Sequence, residues 1–498
     1  VTPVVGTQVE TALDSLNPAD GTLVASVPVM GEAQVRAVVR TAREATVWWR
    51  GLGFDGRAER LAAWRSAIWR HVDEIAELIH RENGKPVDDA VLEVVLTVEH
   101  IHWAEKNAAK VLRTRRVSPG PLFVNYTARV SHDPVGVVGI IGPWNYPLYA
   151  PNSAVAFALA AGNTVVLKPS EFTPAVSQWY VDAFATANPD APEGVLSLVT
   201  GYGETGAALC NAGVDKIGFT GSTRTGKRVM AQCAETLTPV VLECGGKDPV
   251  IVAEDADVTA AARAVAWGAF TNSGQTCVGV ERVYVVEGVA DEFQKLLLEN
   301  LDGVRSGDDA KATYGPMTMP AQVDIVRRHV ADAVERGATF LKGGPESIGE
   351  RFIEPIVITD LPEDAAAVRE ETFGPTVTLT RVADVDEAVR LANDHDYALS
   401  ASVFSASRGD EIADRLRAGQ VTINSVIAFA GMGAVPMGGV GASGFGRLHG
   451  ADGLREFAQP RGVVRQKFGL PGFELITLKR ARHVVPMMKK VLSVRHGL

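Results

Sequence analysis

Val135-Gly136-Val137-Val138-Gly139-Ile140-Ile141-Gly142-Pro143-Trp144-Asn145-Tyr146-Pro147 opens a stretch in which no charged residue occurs between Asp133 and Lys168. Length alone would let such a stretch cross a bilayer. Pro134, Pro143, Pro147 and Pro151 interrupt it, with Gly136, Gly139 and Gly142 among them, and a continuous helix would break there several times. The pattern instead predicts a strand ending at Ile141, a rigid loop, a small-residue helix over Ala154 to Ala161 closed by Gly162-Asn163, and a second strand over Thr164 to Leu167. Both strands are nearly all apolar, as strands covered on both faces of a parallel sheet must be.

Downstream, polar loops follow each buried strand. Lys168-Pro169-Ser170-Glu171 leaves the second strand where α/β proteins bind nucleotides; a Glu there accepts hydrogen bonds from ribose hydroxyls and repels a 2′-phosphate. A strand at Lys216 to Thr220 runs into Gly221-Ser222-Thr223-Arg224-Thr225-Gly226 and a helix, a setting suited to a pyrophosphate, although a GxxxxG of this kind is common by chance. Glu243, before Gly245-Gly246-Lys247, is a general base if partly buried and otherwise a surface turn residue. Asn145, bracketed by prolines, is an oxyanion donor or an ordinary turn Asn. Helical Ala261 to Phe270 gives way to Ser273-Gly274-Gln275-Thr276-Cys277, and a strand follows at Arg282 to Val286; Cys277 there is a nucleophile or a packed thiol.

Upstream, apolar periodicity predicts helices over 32–49, 56–81 and 88–110, the second stopped by Gly84 and Pro86. Leu122 to Ser131 alternates as a strand, and Asp133-Pro134 turns it back. This is an antiparallel arm whose exposed edge calls for cover by another subunit.

The 498 residues suit two or three domains, and 46% hydrophobic with 22% charged residues is an ordinary globular composition. A formal net charge of −10 argues against nucleic acid as a partner. Cys210, Cys233, Cys244 and Cys277 form no CxxC and no disulfide framework, which fits a reducing, cytoplasmic setting. The ten histidines show no HExxH or other ligand spacing, so no metal is expected, and His100 and His102 read as packing or surface residues. The N-terminus lacks the basic start and apolar core of a signal peptide.

Seven motifs occur in one order: Pro143-Trp144-Asn145, Lys168-Pro169-Ser170-Glu171, Phe219-Thr220-Gly221-Ser222, Glu243-Cys244-Gly245-Gly246-Lys247, Gly274-Gln275-Thr276-Cys277, Glu371-Thr372-Phe373-Gly374-Pro375 and Gly438 to Gly444. Over about residues 10–467 the chain resembles the aldehyde dehydrogenase superfamily. The resemblance implies an α/β fold with a Rossmann-like cofactor domain (1–115 and 135–245), an α/β catalytic domain (246–445) and a small β oligomerisation arm (116–134 and 446–467) that builds a homodimer or homotetramer. It implies that Cys277 attacks an aldehyde, that Asn145 and the Cys277 N–H hold the oxyanion, and that Glu243 activates the water that hydrolyses the resulting thioester. Trp144, Lys168, Ser170, Glu171, Gly221, Ser222, Glu371 and Phe373 match cofactor-binding positions, with NAD favoured by Glu171 and NADP still open.

Cys244 stands where the family usually has Leu, and reads as a packing residue. Met437 replaces a usual Phe, Gly441 a common Lys, and Leu448 a frequent acid, all near the expected substrate entrance or domain contacts. With Trp144, Tyr146, Tyr149 and Phe373 these suggest an apolar tunnel; Tyr146, Tyr149 and Met437 are the substrate candidates. The Gly439-Val440-Gly441 variant resembles fatty or aromatic aldehyde enzymes, and also some succinate-semialdehyde enzymes. A coenzyme-A-acylating relative is a further alternative, which Glu243 disfavours.

The basic C-terminal extension, 468–498, lies beyond the resemblance. Residues 479–498 hold six Lys or Arg and no acid, leaving −16 on the rest of the chain. Apolar residues from Leu475 to Leu492 are interleaved with the cations. Such a tail lies on an anionic membrane or covers an acidic neighbouring subunit or its own tunnel mouth, and Pro486, splitting the pattern, favours the second.

Overall fold

The computed structural model describes residues 12–471 and 476–497. The N-terminal stretch read for a signal peptide, the first residues of the family resemblance, and Leu475 and Leu498 of the tail lie outside the described residues. The chain forms two compact units, one of Pro134–Phe457 with the chain up to Val111, the other of Leu112–Asp133 with the chain from Ala458.

In the larger unit two sheets dominate. The first has six strands in the spatial order Gly444–Phe445, Val240–Cys244, Lys216–Gly221, Val137–Ile141, Thr164–Lys168 and Leu196–Leu198. All pairings are parallel except that of the short Gly444–Phe445 edge. From Val137–Ile141 the chain steps outward to Thr164–Lys168 and Leu196–Leu198, then returns to Lys216–Gly221 on the other flank. That reversal opens a crevice beyond the carboxyl ends of Val137–Ile141 and Lys216–Gly221. Helix Tyr149–Ala161, buried along almost its whole length, crosses between the first two strands, so the uncharged stretch is strand, loop, helix and strand.

The second sheet has seven strands in the order Thr339–Lys342, Ile356–Thr359, Thr376–Val382, Val280–Val286, Asp248–Val252, Ser400–Phe404 and Gln420–Ile423. It is parallel but for the Thr339–Lys342 edge. Gly245-Gly246-Lys247 alone carries the chain from the first sheet to the second. Helix Val258–Phe270 packs Ala261, Ala262, Val265 and Ala269 into the core of the second sheet and delivers the chain to Cys277. The smaller unit contains a three-stranded sheet in the order Ala458–Gln466, Tyr126–Pro134, Arg115–Val117.

Three local expectations change. The helix read over 56–81 is two, Gly53–Arg70 and Val72–Asn83, because His71 (φ −114°, ψ 28°) leaves the helical region while the apolar spacing continues on either side. The strand read from Leu122 begins at Tyr126, since Pro121–Phe123 forms a single tight turn started by a proline. Pro486 does not interrupt the tail. It sits in the first turn of helix Val484–His496, where a missing N–H costs no helical bond.

Candidate active site

A cavity of about 1330 Å³ opens along the crevice of the first sheet and reaches the second, and Asn145, Glu243 and Cys277 all line it. The three loops that bear an amide, a carboxyl and a thiol therefore meet on one space. So do Trp144, Lys168, Ser170, Glu171, Gly221, Ser222, Glu371 and Phe373, as well as Tyr146, Tyr149 and Met437.

The thiol is presented by a strained turn. Asn272, Ser273 and Gly274 have φ of 51°, 60° and 70°, three consecutive residues in the left-handed region. A Cβ on Gly274 would lie 2.1 Å from the Gly374 carbonyl oxygen, so only glycine lets this turn pack on the Glu371–Pro375 loop. Hydrogen bonds hold the turn in place: Ser273 Oγ donates to the Gly315 carbonyl (2.8 Å), and the Thr318 N–H donates to Gln275 Oε1 (2.9 Å). On the other side Gly246 lets the Glu243 loop close in, because a Cβ there would lie 2.6 Å from the Cys277 carbonyl oxygen.

Asn145 is fixed through both ends of its residue. One N–H of the side-chain amide donates to the Gln275 carbonyl (2.9 Å), leaving the second for another acceptor. Its own carbonyl accepts from Lys85 Nζ and Asn272 Nδ2, each at 2.9 Å. Lys85 is paired at 2.5 Å with Glu93, both side chains being fully buried. Glu93 in turn accepts from the N–H groups of Leu148 (2.9 Å) and Tyr149 (3.0 Å). The ion pair thus braces the Asn145 loop from beneath. Sequence reasoning missed both residues, reading Lys85 only as part of a helix stop; the signal was a lone Glu within Val91-Leu92-Glu93-Val94-Val95.

Glu243 ends strand Val240–Cys244 and is 4% exposed. Burial pushes its carboxyl up to about 7, partly offset by the Cys277 thiol and the Thr220 hydroxyl beside it. Its Oε1 has no hydrogen-bond partner among the described residues. Burial and the neighbouring Glu243 hold the Cys277 thiol well above its ordinary value, so in this arrangement it is neutral. The pair is one proton acceptor in contact with one proton donor.

At the far end of the cavity, Lys168 Nζ donates to the Pro169 carbonyl (2.7 Å) and Ser170 Oγ to Glu171 Oε2 (3.2 Å). Ser222 caps helix Thr223–Ala234, accepting from the Thr225 N–H (3.3 Å), which leaves the first amides of the helix facing the cavity. Glu371 accepts from the Gly246 N–H (2.9 Å) and is pushed up to about 8 by burial. Phe373 is held at φ 50° because the Thr372 and Phe373 N–H groups both donate to Glu281 (2.9 and 3.1 Å), itself ion-paired with Lys247. Glu281 is a third supporting residue that sequence reasoning missed, hidden inside the strand Val280–Val286. The ring of Phe373 meets Trp144 edge-on, 5.5 Å between centroids.

Tyr146 donates to or accepts from Thr276 Oγ1 (2.9 Å), and Tyr149 donates to the Ala430 carbonyl (2.5 Å), so both hydroxyls are committed to the wall. Met437 is 6% exposed and packs with Val278, Leu399 and Phe429. Helix Val87–Leu112 contributes Asp89, Leu92, Glu93 and Leu96 to the lining, one helical face. Leu92 and Trp267 are about half exposed, an apolar rim. Cys244 packs in the core with Phe219 and Val229. His100 is fully buried, its ring against those of Tyr149 and His449.

Two linked sheets, parallel but for one edge strand each, share a crevice in which a thiol, an amide and a carboxyl converge, the architecture of a two-sheet α/β enzyme. The model of the aldehyde dehydrogenase family matches residues 4–463. A 4,4′-diapolycopene aldehyde oxidase from Methylomonas is 39% identical, covering 93% of this chain and 87% of its own. A probable succinate-semialdehyde dehydrogenase [NADP(+)] from Sinorhizobium fredii is 37% identical over 89% of this chain and 90% of its own. The crystal structure of an NAD-dependent aldehyde dehydrogenase from Sinorhizobium meliloti superposes with a TM-score of 0.88 at 34% identity, covering 95% of each chain. The chain belongs to the aldehyde dehydrogenase family and is an oxidoreductase.

Proposed function

We propose that the protein oxidises an apolar, aliphatic or aromatic aldehyde to its carboxylic acid with NAD, through a thioester on Cys277. The observation that carries this reading is the convergence of the buried Glu243 carboxyl, the Cys277 thiol and the Asn145 amide on one cavity. Glu243 takes the thiol proton as Cys277 Sγ bonds to the carbonyl carbon. The oxygen of the resulting thiohemiacetal, now anionic, receives the uncommitted Asn145 N–H and the Cys277 N–H. Glu243 then gives the thiol proton up to solvent through the cavity, and after oxidation the thioester is attacked by a water held at its unpartnered Oε1, which removes a proton from that water; the tetrahedral oxygen reuses the same donors, and Cys277 leaves as the thiolate and regains a proton from Glu243.

The cofactor residues fit a dinucleotide as a connected set. The N-terminus of helix Thr223–Ala234 would hold the pyrophosphate, Lys168 and Glu171 the adenosine ribose, and Glu371 the nicotinamide ribose, with Phe373 beside the ring. Bound there, the nicotinamide would accept the hydride that the thiohemiacetal carbon gives up. Glu171, kept in place by Ser170, disfavours a 2′-phosphate, which supports NAD with NADP as the poorer choice.

For the substrate, the lining of Leu92, Leu96, Trp267, Ile427 and Met437 favours an apolar chain. Asp89 supports the same choice, since its carboxyl among these residues repels a substrate carboxylate. The second reading, a semialdehyde, rests on the Sinorhizobium fredii relative. The arm sheet, with strand Ala458–Gln466 exposed along most of its length, supports assembly into a homodimer or homotetramer.

Reduced nicotinamide formation from aliphatic and aromatic aldehydes and from succinate semialdehyde, with and without coenzyme A, tests the proposal. It expects turnover of the apolar aldehydes without coenzyme A and none by Cys277→Ala. Turnover confined to coenzyme A would identify an acylating enzyme, and preference for succinate semialdehyde would overturn the substrate class.

A further inference from the structure

Helix Val484–His496 turns an unusual face outward. Met487, Val491 and Val494 follow one another at helical spacing and are 40%, 43% and 79% exposed. Lys490 and Arg495, both exposed, flank this stripe on its two sides. Next to this stripe, on the flank toward Arg495, the helix carries Val484, fully buried, and the half-buried Met488 and Leu492, so one edge of its apolar face is covered and the edge of Met487, Val491 and Val494 is left open. Just before it, Ile476 and Leu478 are exposed beside Lys479, Leu478 completely. No acidic residue occurs from 476 to the end of the chain. With Pro486 in the first turn, the helix is unbroken, which removes the sequence-based objection to an amphipathic tail.

We propose that this tail docks on the surface of an anionic lipid bilayer, with Met487, Val491 and Val494 entering the headgroup boundary and the flanking Lys490 and Arg495 meeting lipid phosphates. Charge selects this occupant over a second copy of the chain. A surface of uniform negative charge matches a segment with cations and no acids, whereas a folded protein face presents both signs. Interfacial insertion needs only an apolar strip with cations beside it, which the helix supplies. Attachment there would place an enzyme for apolar aldehydes at the phase in which such aldehydes dissolve, but the docking stands on the tail residues alone.

The test uses the purified full-length chain in flotation with vesicles of phosphatidylcholine alone or with phosphatidylglycerol, and sedimentation velocity without lipid. The proposal expects binding to the phosphatidylglycerol vesicles that weakens as salt is raised. The double variant Lys490→Glu/Arg495→Glu should lose about tenfold or more of that binding. Met487→Ser/Val491→Ser/Val494→Ser should also lose it, although its charge is unchanged. Both variants should keep wild-type oligomer mass and wild-type turnover of a water-soluble aldehyde, which shows that they fold. Equal binding to both kinds of vesicle, or retained binding by the charge-reversed chain, overturns the proposal. So does absence of wild-type binding combined with a changed oligomer mass in the variants, the result expected if the tail covers another copy.

Discussion

Replacing Glu243 by Gln removes one proton acceptor and little else, since the amide has nearly the shape of the carboxyl. With its carboxyl pushed up to about 7, Glu243 is ionised to roughly 10% at pH 6 and roughly 90% at pH 8, so thioester hydrolysis in the wild type should rise about ninefold across that interval. The Gln variant should lose about 10²–10⁴ in steady-state turnover, the usual worth of a positioned general base, and its residual rate should lack the rise near pH 7. Rapid mixing separates the half-reactions: the same carboxyl accepts the thiol proton, so in the variant the first equivalent of reduced nicotinamide per site should also form slowly, without a burst at the wild-type rate. Thermal unfolding provides a second reading of the same group. A folded-state value above the unfolded one makes the carboxyl's contribution fully present below about pH 4.5 and lost as pH rises through about 7. The Gln variant should therefore gain on the wild type between those pH values, by up to about 3 kcal/mol for a shift of this size. Wild-type turnover in Glu243→Gln with the pH 7 rise intact would refute the assignment of the base. A burst of reduced nicotinamide at the wild-type rate in the variant would refute its role as acceptor of the thiol proton.

Asn145→Ala leaves the developing oxyanion without a side-chain donor and the Gln275 carbonyl with only Asn272 Nδ2 (3.3 Å), and should lower kcat/KM by about 10²–10³ in steady-state assays. Lys85→Met leaves the buried Glu93 without its cation and takes one donor from the Asn145 carbonyl, which keeps Asn272 Nδ2; thermal or denaturant unfolding should show a loss of about 3–5 kcal/mol, with a lower kcat in whatever folds. Gly274→Ala forces a Cβ against the Gly374 carbonyl at φ 70°, and thiol labelling of Cys277 should report a displaced turn together with lost activity. Asp89→Asn removes the carboxyl from the apolar lining, and the KM for succinate semialdehyde should fall relative to that for an aliphatic aldehyde of similar length.

Much of the larger unit was legible because its periodicities are strong. The apolar runs at Val137–Ile141 and Thr164–Lys168 read as buried parallel strands, and the prolines between them ruled out a membrane helix before any coordinates. Periodicity failed where a break does not disturb it: the turn at His71 keeps the same apolar face on both sides, so two helices looked like one. It also misjudged Pro486, since a proline's effect depends on its distance from a helix start that the sequence did not mark.

The sequence by itself determined the α/β character and the loops that carry an amide, a carboxyl and a thiol, because strand and turn signals are local. Only the tertiary structure decided that Asn145, Glu243 and Cys277 share one cavity, that Lys85 and Glu93 hold the first of them, and that Glu243 is buried enough to titrate near 7. Those properties depend on approaches between segments scores of residues apart, such as Gly246 against Cys277 and Gly274 against Gly374, and on the loss of water that follows. Neither is written in the spacing of neighbours along the chain.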